Sequence, residues 1–489
     1  MQNIGNSFSF ASLPRRAGSF RRQSWGLGAG AVLAAALLSG TTASAQTLTY
    51  GPILGRGYTP DQTIVRWGTG AAADATTVAY RKKGAAMWEM KTGTAARDHE
   101  VVLTSLSPGE TYEYEVRSLT GVPQGAAFTT CPMPGRPMDF VFYGDSRTGF
   151  GTMAGEHAKV VAQLTLKNPE MVFESGDIVP NGTYAQYLNE FFPVANTMVR
   201  STPFMAAPGN HDAISDLANN YGQVFPSPRP AGAAWQSYYA FSCGNARFLS
   251  LDSNKVTDAD QLKFITDQLQ AARDDAMTDH VFIWLHHAPY SVGSHGDNST
   301  VQSKWVPIFN RPEYKVTAVF AGHDHLYARM DDSSTVAYIV SGGAGANLYS
   351  DSGSSKAKKV ISKMVYNFVA IHLAGRTMSA VAYDDTGTEI DRFAVTKTGT
   401  PPDGGTTDGG VTDGGVTDGS IPDAASPRDS SVPGPDGGVT SDLAAPPPPS
   451  GGCTQARSGS GPGPLGVGAL LGLGGLLALR RRRYALSRC

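Results

Sequence analysis

Apolar and polar positions alternate along three early stretches, Thr63-Ile64-Val65-Arg66-Trp67, Thr77-Val78-Ala79-Tyr80 and Thr111-Tyr112-Glu113-Tyr114-Glu115-Val116. Period-two alternation sends one strand face inward and the other to water. Turn residues such as Ser107-Pro108-Gly109 separate the runs. Residues 46–132 are therefore expected to form a small all-β sandwich. From Met138 the pattern changes. Short apolar runs (Asp139 to Tyr143, Met171 to Phe173, Phe204 to Ala207, Phe248 to Leu251, Val281 to Leu285) alternate with amphipathic segments such as Ala259 to Arg273. That alternation reads as an α/β domain over 138–397, with any site at the strand ends.

The ends of the chain follow neither pattern. Residues 1–45 combine a basic start (Arg15, Arg16, Arg21, Arg22), an apolar stretch from Trp25 to Leu38 and small residues at Ala43-Ser44-Ala45. This reads as an export signal, by the plain secretory route or, on Arg21-Arg22, the twin-arginine route. Residues 398–452 repeat Thr-Asp-Gly-Gly-Val and end near the run Pro446 to Pro449. Such composition buries too little apolar surface to fold and reads as a spacer. Residues 453–489 carry a Gly-rich apolar stretch from Pro464 to Leu479 and then Arg480-Arg481-Arg482-Arg483, the marks of a membrane or sorting tail.

Charge narrows the function. Lys+Arg number 40 against Asp+Glu 42, for a net charge of -2 in 489 residues. A nucleic-acid binder would leave a basic footprint, and none is present. Of the four cysteines, Cys131 and Cys243 fall in the folded region. In an exported chain they either pair or remain free thiols.

Five blocks carry chemistry: Gly144-Asp145-Ser146-Arg147, Gly176-Asp177-Ile178-Val179-Pro180, Gly209-Asn210-His211-Asp212, His286-His287-Ala288-Pro289 and Gly322-His323-Asp324-His325. Each places a carboxylate, amide or imidazole after an apolar run, and four carry a glycine just before it. In the last block the two histidines are read as leaving one extended segment on the same side, each toward its own metal. Oxygen and imidazole donors suit Zn, Fe or Mn. Two such ions neutralise the anionic oxygens of a phosphoester and acidify the attacking water. His295, in a Gly/Ser-rich loop beyond His287, is a candidate phosphate ligand or proton donor.

The order of these blocks resembles the calcineurin-like metallophosphoesterase superfamily over residues 138–396, with the purple acid phosphatases as the nearest branch. The resemblance implies a four-layer sandwich, two β-sheets flanked by helices. It implies two metal ions: Asp177 bridging, Asp145 and His325 on the first metal, Asn210, His287 and His323 on the second. His287 is preferred over His286 because His287-Ala288-Pro289 matches a His-x-Pro motif, which leaves His286 a packed neighbour. His211 is implied as transition-state clamp or proton donor, supported by Asp212. The stretch Leu106 to Tyr112 resembles fibronectin type III domains. The last thirty or so residues resemble the MYXO-CTERM type of bacterial sorting tail, which implies attachment to the membrane or cell surface.

Two departures matter. Arg147 stands where many members have a metal-binding histidine, and Pro180 stands where purple acid phosphatases have a tyrosine. Arg147 stays protonated and is no ligand. It either clamps a substrate phosphate or forms a structural ion pair. Tyr184, one helical turn beyond Pro180, needs a very different loop path to reach the first metal. The expected activity is hydrolysis of phosphomonoesters by an exported enzyme. The alternatives are a phosphodiesterase of the same fold and a surface adhesion protein with an inactive core.

Overall fold

The computed structural model describes residues 48–70, 75–117, 124–148 and 155–398. The expected export signal, spacer and sorting tail lie outside them. Among the described residues no helix is long and apolar enough to cross a membrane.

The first seven strands form two antiparallel sheets. Leu48–Arg56, Thr63–Thr69 and Asp98–Leu103 make the three-stranded sheet; Thr77–Lys82, Glu89–Thr92, Thr111–Val116 and Gln124–Thr129 make the four-stranded one. Asp98–Leu103 and Thr111–Val116 alternate between buried and half-buried positions. Val65, Trp67, Leu103, Tyr114 and Phe128 fill the space between the sheets. Thr63–Thr69, by contrast, is buried along its whole length. Its second face meets the rest of the molecule. There the Arg66 guanidinium donates to the carbonyls of Gly222, Gln223 and Phe225 at 2.7–2.8 Å. These close the C-terminal end of helix Asn219–Val224, where carbonyls otherwise lack partners.

The larger part is layered helix, sheet, sheet, helix. Its six-stranded sheet has Met138–Tyr143, Met171–Glu174 and Phe204–Ala206 in parallel, extended by the antiparallel strands Asn367–Ala374, Thr377–Asp384 and Glu389–Thr396. The seven-stranded sheet has Ala246–Ser250, His280–His287, Val316–Gly322 and Ala337–Ser341 in parallel at its centre. Both sheets press aromatic side chains into the gap. Phe142 and Phe320 stack across it with ring centroids 3.7 Å apart, and Phe140, Phe173, Phe248 and Trp284 surround them. Helices Gly155–Thr165 and Phe192–Val199 cover one outer face, and helix Ala259–Asp274 and Trp305 cover the other. Strands covered on both faces have no wet side, which explains their unbroken apolar runs.

Cys131 and Cys243 form a disulfide with Cα atoms 5.2 Å apart. It ties the segment after the small sandwich to strand Tyr239–Cys243.

Candidate metal centre

Every block of the sequence constellation sits at the C-terminal end of a parallel strand. Chain reversal there is abrupt. Asp145, Asp177 and His323 have φ of 60°, 57° and 71°, in the left-handed region. For residues with a Cβ this costs about 1–3 kcal/mol each, and such strain clusters at functional sites. Backbone bonds hold the turns: Asp145 N to Gly176 O at 2.9 Å and Arg147 N to Asp177 O at 3.0 Å. The Asp145 carboxylate in turn accepts from His323 N at 2.9 Å. Two glycines serve close approach. A Cβ on Gly322 would lie 2.2 Å from Asp145 Oδ2, and one on Gly209 2.1 Å from Asp177 Oδ1. The left-handed turn after this strand is made by His323 and not by Gly322. Residues 323–326 are not extended, and the two histidines reach different parts of the site because the chain bends between them.

Backbone carbonyls fix the imidazole tautomers. A carbonyl only accepts, so the ring nitrogen facing it carries the proton. His286 Nδ1 donates to Ser175 O at 3.0 Å, His325 Nδ1 to Asn347 O at 2.6 Å, and His211 Nδ1 to Pro180 O at 2.6 Å. Each Nε2 is left with its lone pair toward the site. His286 Nε2 faces Asn210 Oδ1 at 2.9 Å and Asp177 Oδ1 at 3.3 Å, with His323 Nδ1 at 3.1 Å. His325 Nε2 faces Asp145 Oδ1 at 3.4 Å.

Acceptors therefore face acceptors in two places. Asp145 Oδ1 is buried and has no hydrogen-bond partner. Burial, then the neighbouring Asp177 carboxylate, raises the Asp145 pKa well above the usual carboxylate range. Burial also lowers His286, His287 and His323, and holds His325 down at about 4. These rings are neutral at ordinary pH, the form that binds metal. The donor set fits cations. Two groupings among the described residues have ligand atoms close enough for one ion: Asp145, Asp177 and His286, and His286, His287 and His323.

His286 is placed differently from the sequence reading. It was expected to be a packed neighbour, yet its fully buried ring stands at the centre of the cluster. His287, the preferred ligand, lies beside it with Nδ1 at 2.8 Å from Ser253 Oγ. The His286 ring faces Asp177 and Asn210, while the His287 ring meets the cluster from the side of His323, with which it shares a grouping. Asp212 also differs from expectation. Its carboxylate accepts from the backbone N–H groups of Asp177 and Gly209, both at 2.8 Å, and from Tyr187 Oη at 2.9 Å. It staples two ligand loops together, and Pro180 O is what orients His211. Burial raises Asp212 to about 7.

The remaining candidates line the mouth. His211 is partly exposed, with Nε2 3.8 Å from Asp177 Oδ2. His295 stacks on His323 at a 4.0 Å centroid distance, its N–H donating to Asp324 Oδ1 at 2.9 Å. A pocket of ≈ 70 Å³ opens between His287, His295 and His323. Arg147 is buried, with Nε 3.4 Å from Asp177 Oδ2. Tyr184 is engaged elsewhere, donating to Asp98 Oδ1 at 2.6 Å in the small sandwich. Tyr349 was not foreseen: its ring stacks on His325 at 4.0 Å, and its N–H donates to His325 O at 2.9 Å. The only signal for it was the glycine-rich run from Gly342 to Gly345 just before.

Fold and site together define a metallophosphoesterase type of domain. Residues 153–327 match the family model "Calcineurin-like phosphoesterase", and the chain carries a domain of that kind. It is 28% identical over 167 residues to human tartrate-resistant acid phosphatase type 5, covering 29% of this chain and 50% of that protein. It is 23% identical over 259 residues to mouse acid phosphatase type 7, covering 47% and 56%. The chain thus spans about half the length of the curated relatives it matches. Among solved structures, a purple acid phosphatase from yellow lupin (Lupinus luteus) seeds aligns with TM-score 0.60 at 18% identity, covering 71% of this chain and 74% of that one. PhoD aligns with TM-score 0.51 at 15% identity, covering 71% and 93%. These structures share the fold.

Proposed function

We propose that this chain is a metal-dependent phosphoester hydrolase with two metal positions, acting on phosphomonoesters. The observation that carries the reading is the convergence of Asp145, Asp177, Asn210, His286, His323 and His325, with neutral imidazoles and facing acceptors, at the strand ends. Asp145, Asp177 and His325 would hold the first ion, and Asp177, Asn210, His286 and His323 the second, with His287 alongside. Zn, Mn and Fe all suit these donors. Bound there, such ions neutralise phosphate charge and acidify the attacking water.

The chain's own groups do the rest. Pro180 O holds one proton on His211 Nδ1, so Nε2 is the atom that faces the leaving oxygen; it donates when the ring carries a second proton there, beside the Asp177 carboxylate, and is left with its lone pair afterwards. His295 lies on the side of the small pocket and is placed to contact the ester. Asp212 keeps the loops of Asp177 and Asn210 in register. With Pro180 in the tyrosine's place and Tyr184 engaged by Asp98, no tyrosine on the Asp177 loop reaches the first position. An iron-loaded sample is therefore expected to be colourless or faintly yellow, without a strong band at roughly 500–600 nm.

The acid phosphatase relatives support the monoester preference. Initial rates on p-nitrophenyl phosphate and on its bis ester, with Zn, Mn or Fe supplied, test it. Faster monoester hydrolysis is expected; a strong diester preference would replace the reading with a phosphodiesterase.

We further propose that the protein is exported and surface-held, with a fibronectin type III-like sandwich. The Cys131–Cys243 disulfide supports an oxidising compartment. Cell fractionation with mass spectrometry of the mature N-terminus checks it, and an intact Met1 in the cytosol would count against it.

A further inference from the structure

Arg147 occupies an unusual place. Its side chain is buried beside the first metal position, with Nε 3.4 Å from Asp177 Oδ2 and Nη2 3.5 Å from His325 Nε2. Both of those atoms belong to the donor set of that position. Arg147 Nε has no hydrogen-bond partner of its own. A structural ion pair at a protein surface would satisfy the guanidinium fork; this one faces a lone pair and a shared carboxylate. The Arg147 backbone is fixed by its bond to Asp177 O at 3.0 Å, which keeps the base of the side chain beside the site. Among the described residues the second position has no such competitor: Asn210, His286 and His323 converge there without an arginine or lysine.

From this geometry we infer that the Arg147 guanidinium takes over the electrostatic role of the first metal, so that the resting protein holds one tightly bound ion, in the second position. The inference rests on the metal-centre reading above. A permanent cation at hydrogen-bonding range of Asp177 and His325 repels a divalent ion seated on the same atoms. The same guanidinium supplies fixed positive charge and planar N–H donors toward phosphoryl oxygens entering from the mouth. The site keeps two positive centres, one a metal and one a side chain.

Metal content separates the possibilities independently of activity. The full-length mature protein would be loaded with Zn or Mn, dialysed against a weak chelator and analysed by mass spectrometry of the metal, with calorimetric titration alongside. The wild type is expected to retain one equivalent. Arg147→Ala and Arg147→His are expected to retain two, with first-position affinity raised at least ~100-fold. Arg147→Lys keeps the charge and is expected to stay at one, which separates charge from space. Two tightly held equivalents in the wild type would overturn the inference and leave the phosphoesterase reading standing. One equivalent in Arg147→Ala and Arg147→His, with native circular dichroism, would overturn it too. No bound metal in any form would overturn both.

Discussion

His286 and His287 pose the sharpest question at the scale of single residues. If His286 Nε2 is the ligand, His286→Ala should lose bound metal and nearly all turnover. His287→Ala should keep metal and lose roughly 10–100-fold, as for groups that support a ligand. Equal metal loss in both would restore His287 to the ligand set. Asp177→Asn should likewise strip metal, whereas His211→Ala should retain it and lose ~10²–10⁴ in kcat. Residue types and block order were legible in the sequence, because metal chemistry needs those donors. Which of two adjacent imidazoles faces inward was not, because strand register decides it. Tyr349 was missed because a loop path, marked only by the glycines before it, brings it onto His325. Acid sensitivity also belongs to this scale. His157 is buried between Tyr143 and Phe191, its Nε2 has no partner, and burial pushes its pKa down to about 3. The unfolded chain takes up that proton below about 6.5, while the fold does not until near 3, so stability is full above 6.5 and falls as pH drops. Between pH 6.5 and 5 this amounts to about 2 kcal/mol for His157 alone. Urea melts at both pH values should show it, and His157→Phe should reduce the difference; an unchanged difference would place the acid-labile group elsewhere.

Among the elements, the helices are less informative than the contacts that end them. Helix Asn219–Val224 is short, and a left-handed Ala218 precedes it in place of a capping side chain. Its carbonyl end is held by Arg66 of a distant strand, while Tyr221 and Val224 are buried in the core and Asp216 Oδ2 accepts from Asn220 N at 2.8 Å. Arg66→Met should cost about 2–4 kcal/mol, since carbonyls lose a charged donor in a buried setting. Thermal melting checks this, and a change within ±0.5 kcal/mol would mean water replaces the guanidinium. The strands were read from their patterns because burial on one face or two leaves different periods in sequence. Thr63–Thr69 shows the limit. Its alternation predicted one wet face, yet Arg66 lies buried at the contact with the larger part, a fact set by docking and not by the strand itself.

Across the whole molecule, the disulfide closes a stretch with a sequence separation of 112 residues. Replacing both cysteines by serine should lower stability by about 2–5 kcal/mol, and a melt of the double variant beside the wild type measures it. The small sandwich has a further property. Tyr50 and Ile53 of its first strand belong to the same apolar cluster as Phe192, Val199 and Phe204 of the larger part. A Tyr184–Asp98 bond and the Arg66 cluster cross the same seam. The sandwich is consequently not a bead on a string that the rest of the chain could shed. A cut near residue 132 would expose a greasy wall on each half, and the disulfide would leash one half to the other. Scanning calorimetry should give a single peak for the pair, and limited proteolysis should release neither half as a soluble fragment.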